Sequence, residues 1–149
     1  MRKMKTKKTK TCFWIFALCA LGWEILAGCS SGPPVIPEDL SVLQYFQKAQ
    51  EEFEHDEWDN ALFYYTTYIE RYPNDLPNVT TARYEIAFIN YKQKKYDAAA
   101  TGFRELLDFY ETTNLPLSFP LWPRVLSQKV LQIMTNKNLL PKESSTAEG

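Results

Sequence analysis

The sequence predicts an all-α fold: a short solenoid of two helical hairpins closed by a C-terminal capping helix. Three observations carry that prediction. Between residues 42 and 138, apolar side chains recur at three- and four-residue steps, the spacing of one helix face. The same order of small and aromatic residues returns when the chain is slid along itself by 38 positions. Polar breaks at His55-Asp56-Glu57, Pro73-Asn74-Asp75 and Gln93-Lys94-Lys95 fall between the periodic runs.

The segment before the helices reads as an export leader. The first ten residues carry six Lys or Arg and no acid, and residues 11–28 are mostly apolar with Glu24 as their one charge. A positive start, an apolar centre and small residues at the end are the layout of a cleaved signal. An uncleaved signal anchor and ordinary secretion stay open beside it. Eighteen residues is the low edge for a spanning helix, and Glu24 would sit inside the hydrocarbon.

Leu26-Ala27-Gly28-Cys29 resembles the bacterial lipobox. That resemblance implies a lipid thioether on Cys29 and cleavage just before it, leaving acyl chains as the membrane attachment. Ser30, which is not Asp, then implies the periplasmic face of the outer membrane under the enterobacterial sorting rule. The expected order is a leader over 1–28, lipidated Cys29 with a Pro-rich tether over 29–41, a helical domain over 42–138, and a disordered tail over 139–149.

Removing the leader changes the composition. Cys12 and Cys19 leave with it, so no disulfide is expected in the mature chain. Seventeen acids and eleven bases remain, a net charge near −6. Such a chain lacks the basic face that phosphate backbones need, which argues against a nucleic-acid partner. Charge does not favour anionic lipid either, so the membrane contact falls to the acyl chains.

In the first hairpin, Leu43, Phe46, Ala49, Gln50 and Phe53 share one helical period. Trp58, Ala61, Leu62, Tyr65, Tyr68, Ile69 and Tyr72 share the next, which Pro73 ends. The second hairpin runs over about 79–94 and 96–111. Its Ala87, Tyr91, Tyr96, Ala99, Phe103 and Leu107 match Ala49, Phe53, Trp58, Ala61, Tyr65 and Ile69. Gly102 inside the fourth helix costs about 1 kcal/mol relative to Ala, which points to a close helix crossing. The capping helix is expected over 120–138, where a further shift of 38 carries Ala87 onto Val125.

Ala49, Trp58, Ala61, Tyr65 and Tyr72-Pro73, then Ala87, Tyr96, Ala99 and Phe103, resemble the tetratricopeptide repeat. Three features depart from it. The period is 38 rather than about 34. Asp56 stands where Gly is common, and Glu111 replaces the second closing Pro. Together with the lipobox, the long period resembles the BamD-like family of outer-membrane assembly lipoproteins, with fewer repeats.

No catalytic site assembles from these residues. His55 is the single histidine, and it lies in a turn among acids. The run Glu51 to Asn60 fails the calcium-loop order, because Trp58 and Ala61 stand where ligands or Gly are required. Asn78-Val79-Thr80 matches a glycosylation acceptor, a chance triplet in a bacterial lipoprotein. The expected class is a non-enzyme without metal or cofactor.

The tetratricopeptide resemblance implies a partner groove lined by the first helix of each unit. Carried onto this chain, it is formed by Phe46, Gln50 and Phe53, then Tyr84, Phe88 and Tyr91 with Lys92 at the edge, and Trp122 and Leu126 from the cap. Such an aromatic row suits an extended peptide or an amphipathic helix of an envelope protein. The most specific version of this reading is a role in β-barrel assembly. A lipoprotein binding a small apolar or cationic ligand for a transporter is the alternative, and self-association through the same surface is a third.

Overall fold

The computed structural model describes residues 35–140. The leader, Cys29 and the last nine residues lie outside the described residues, so the lipidation and signal expectations fall there too. Five helices follow in order: α1 Val42–Glu54, α2 Trp58–Arg71, α3 Leu76–Lys92, α4 Tyr96–Thr112 and α5 Trp122–Asn136. Each packs on its chain neighbour, and α5 also touches α3. This is the all-α architecture expected, two hairpins and a cap.

Local chemistry sets the boundaries. Ser41 caps α1: its hydroxyl accepts the Gln44 amide at 3.4 Å, and Gln44 Oε1 accepts the Ser41 amide at 2.9 Å. The helix stops where Asp56 takes a left-handed φ of 61°. There the Glu57 amide donates to the Glu52 carbonyl at 2.9 Å, and the Asp56 amide to Phe53 at 3.2 Å. This pair of bonds is the Schellman stop, which satisfies carbonyls the last turn would leave bare. It recurs 38 residues later at Lys94, φ 62°, with Lys95 bonded to Asn90 at 2.9 Å and Lys94 to Tyr91 at 3.0 Å. It appears a third time at Asn138, φ 52°, after α5.

Pro77 and Pro123 sit in the first turns of α3 and α5, where a missing N–H breaks no helical bond. So α3 begins at Leu76, ahead of the expected 79. The turn before it is tied by Asp75, which accepts the Tyr68 hydroxyl at 2.6 Å and the Asn78 amide nitrogen at 2.9 Å. Those two bonds hold the Asp75 carboxyl below its ordinary range, while burial and the same bond push the Tyr68 phenol up.

α3 is the central element. Val79, Ala82 and Ile89 join a cluster with Tyr45, Ala49, Ala61, Tyr64, Tyr65 and Tyr68. Tyr84 and Ala87 join a second cluster with Ala99, Ala100, Phe103, Leu106, Val130 and Met134. A helix buried on two sides has little amphipathic contrast, unlike its neighbours. Ala49, Ala61 and Ala99 are fully buried, as expected of residues at helix crossings. A Cβ on Gly102 would lie 3.1 Å from the Ala87 Cβ, so the glycine permits the α3–α4 approach.

Three expectations need correction. Residues 35–41 are not a free leash: Ile36 and Leu40 are buried in the first cluster. The Arg71 guanidinium secures them, donating to Pro37 O at 2.9 Å, Ile36 O at 3.4 Å and the Tyr45 hydroxyl at 2.6 Å. At the other end, Leu139 and Leu140 pack on the second cluster instead of starting the tail. In the cap, Val125 is 57% exposed, and the small buried residue is Ser127. Pro123, Ser127, Val130 and Met134 form the face that α5 presents to the core, so the third unit does not keep the register of 38.

Candidate functional site

The candidate groove is a ladder of aromatic rings crossing four helices, α1, α2, α3 and α5. Phe53 of α1 stands edge-on to Trp58 at 5.2 Å and lies 6.3 Å from Phe88 of α3. Phe88 stacks nearly parallel to Tyr84 at 6.0 Å, and Tyr84 meets Trp122 of α5 edge-on at 5.3 Å. A branch runs from Phe88 to Tyr91 and on to Tyr96. Such pairs lie at the separations aromatic rings prefer, so each ring helps to hold the next in place.

Apart from Tyr84, these rings are neither fully core nor fully surface. Phe46, Phe53, Phe88 and Tyr91 are half-buried, Gln50 is exposed, and Trp122 is 40% exposed. Phe46 rests its edges on Tyr65 and Tyr68 at 5.4 and 5.2 Å, which accounts for its inner side. Leu126, one turn beyond Trp122, keeps 36% of its surface open, and Lys92 is exposed.

Tyr84 is the correction here. It is 6% exposed, wedged among Phe88, Phe103 and Trp122. Burial pushes its phenol up to about 12, with the Glu85 carboxylate adding to the effect. Tyr84 therefore supports the ladder from beneath and offers no open face. The cap caused this, because the indole that covers it arrives from residues far along the chain.

Two features of this surface escaped the sequence reading. Val125 and Leu121 extend the apolar face of α5 beyond Trp122 and Leu126, at 57% and 55% exposure. Glu85 is half-buried on α3, next to Tyr84 and three residues before Phe88. Burial holds its carboxyl up at about 7. Its charge, together with burial, also raises the Tyr65 phenol of α2. An acid one helical step from a groove aromatic was the available signal for it.

A cleft of about 640 Å³ opens between α3 and α4, lined partly by Arg83, Asn90, Thr101 and Glu105. It uses none of the ladder rings. Among the described residues, no group of three His, Cys, Asp or Glu converges as a metal site. His55 is exposed, its Nδ1 2.8 Å from the Glu51 carbonyl.

The tetratricopeptide repeat family model matches residues 81–113, which span most of α3 and all of α4. The chain carries a tetratricopeptide repeat. The repeat suits protein–protein interaction and is typically non-catalytic. The chain is also 27% identical over 134 residues to an uncharacterized protein of Treponema pallidum (strain Nichols). That match covers 89% of this chain and 54% of the relative, so the chain spans about half the length of the curated relative it matches. No solved structure matches.

Proposed function

We propose that this chain is a lipid-anchored, non-enzymatic envelope scaffold that holds a protein partner on its aromatic groove. The observation that carries the reading is the half-open ladder from Trp58 through Phe53, Phe88 and Tyr84 to Trp122. Its rings are braced on their inner sides, so little side-chain freedom is lost when a partner covers the outer ones. The exposed start of α5 lengthens the surface past the second hairpin.

The anchoring half of the proposal rests on the lipobox-like Leu26-Ala27-Gly28-Cys29 behind a basic, apolar leader. Among the described residues no helix is long and apolar enough to cross a membrane. The outer membrane, facing the periplasm, is the location that Ser30 favours, and β-barrel assembly is the most specific role the BamD-like resemblance offers. The small-ligand alternative has less support, because the aromatic rings line an open surface and none of them lines the α3–α4 cleft.

The test is photo-crosslinking of the intact protein in cells, with the reactive residue at Gln50 or Phe88. The expected result is capture of one envelope protein from both positions, lost when Trp122 and Phe53 are changed to Ser. Equal capture by that double variant, with its fold intact by circular dichroism, would sink the groove. In parallel, Cys29→Ala is expected to remove palmitate labelling and release the protein from membranes. Unchanged labelling would refute the lipid anchor.

A further inference from the structure

The aromatic groove contains one charged group that the fold leaves uncompensated. Glu85 is half-buried between the ladder and α2. Helical steps of 100° per residue place it on the flank of α3 shared with Thr81, Phe88 and Lys92, on the groove side of Tyr84. Among the described residues it accepts no hydrogen bond and joins no ion pair. Lys92 is seven residues on, about 10 Å along the helix, and is exposed.

A carboxylate withdrawn from water without a partner is unfavourable, and such groups concentrate where a binding partner later supplies what is missing. The titratable groups that face it are the phenols of Tyr65 from α2 and Tyr84 from its own helix. Neither can neutralise it. The neighbouring first helix adds to the negative field, since α1 carries Glu51, Glu52 and Glu54 against Lys48 alone. Over residues 35–140 there are fifteen acids and ten bases. The faces of Phe53, Phe88 and Trp122 also attract positive charge through their quadrupoles. An acidic or phosphate-bearing segment would meet repulsion at each of these points.

We infer that Glu85 selects the partner by charge: it receives the ammonium or guanidinium of a Lys or Arg on a partner segment whose neighbouring apolar residues lie on Phe53, Phe88 and Trp122. This rests on the groove reading above and adds the chemistry of the occupant. The bound cation replaces the water that Glu85 has lost, and the flanking rings supply apolar area. Together they discriminate a basic–apolar segment from a purely apolar one.

The test pans a display library of random dodecapeptides against the intact protein in detergent. One enriched peptide is then made with its basic residue and, as a twin, with norleucine there. The expected result is enrichment of Lys or Arg flanked by apolar residues, and about a tenfold weaker Kd for the norleucine twin. Glu85→Gln should bind both peptides alike, at the weaker level. Binding of the basic peptide should tighten from pH 6 to pH 8 in the natural protein and stay flat in Glu85→Gln. If Phe88→Ser abolishes binding but Glu85→Gln keeps the preference for the basic peptide, the charge-selecting role is overturned while the groove stands. If Phe88→Ser binds as well as the natural protein, the groove reading itself fails. Enrichment of acidic peptides overturns the inference directly.

Discussion

Lys94 gives the sharpest test of how this chain ends its helices. It holds φ 62° at the close of α3, where an L side chain crowds the following carbonyl at a cost of about 1–2 kcal/mol. The position is needed, because the Lys94 and Lys95 amides close the helix on Tyr91 and Asn90 at 3.0 and 2.9 Å. The Lys94 side chain makes no hydrogen bond among the described residues, so removing it sacrifices no polar contact. Lys94→Gly therefore keeps the stop and removes the crowding. Glycine's greater freedom in the unfolded chain returns part of the gain, leaving about 1 kcal/mol of net stabilisation. For a domain of this size that is a Tm rise of about 4–8 °C. The control is Lys95→Gly, where φ is −79° and no crowding exists to relieve, so about 0.5 kcal/mol of loss is expected. Urea unfolding followed by circular dichroism measures both, with an unchanged m-value as the sign that only stability moved. If Lys94→Gly proves no more stable than Lys95→Gly, the left-handed stop is not strained and the reasoning is wrong.

Other substitutions probe the remaining tertiary features. Arg71→Ala should cost about 1–2 kcal/mol, because the buried Tyr45 hydroxyl loses its 2.6 Å partner and the strap over Ile36 and Leu40 is released. Faster proteolysis within residues 35–41 would report the release, and an unchanged cleavage rate would contradict it. Ser127→Ala should stabilise by about 1 kcal/mol, since its fully buried hydroxyl has no hydrogen-bond partner among the described residues; a lower Tm would mean the hydroxyl is satisfied in solution. Glu85 gives a pH signature. Its folded carboxyl sits at about 7, above the ordinary 4.5, so the penalty is absent below pH 4.5 and complete above pH 7. Stability should therefore fall by up to about 3 kcal/mol as pH rises through that window, and Glu85→Gln should abolish the fall. Asp75 acts in the opposite sense: its depressed carboxyl contributes stability above its ordinary range that is lost as pH drops through the folded value. Urea midpoints at pH 5 and pH 8 for both proteins isolate the Glu85 effect; parallel slopes would refute it.

The exposure of the candidate groove residues was partly legible in advance because they lie at fixed steps along two equivalent helices. Phe46, Gln50, Phe88 and Tyr91 stand at or near the surface as that spacing implies. Tyr84 follows the same spacing and is buried, because Trp122 approaches from another helix and covers it. The isolation of Glu85 likewise depends on what fails to arrive from other helices, and no local pattern records an absent partner. The third register slipped for a related reason. Alignment by 38 chose Val125, but the longer loop before α5 lets the helix rotate Ser127 inward instead.

Helix count, hairpin order and turn positions were written in the sequence, because period, proline and left-handed stops act over a few neighbouring residues. The match of φ at Asp56 and Lys94, 38 residues apart, is the clearest case. Which side of each helix stays in solvent was decided only when the helices packed. That is why residues 35–41 became a buried strap, why Tyr84 went inside, and why Glu85 was left half-buried with no base to meet it among the described residues. Burial belongs to pairs of surfaces distant in the chain, and no single stretch of sequence contains both.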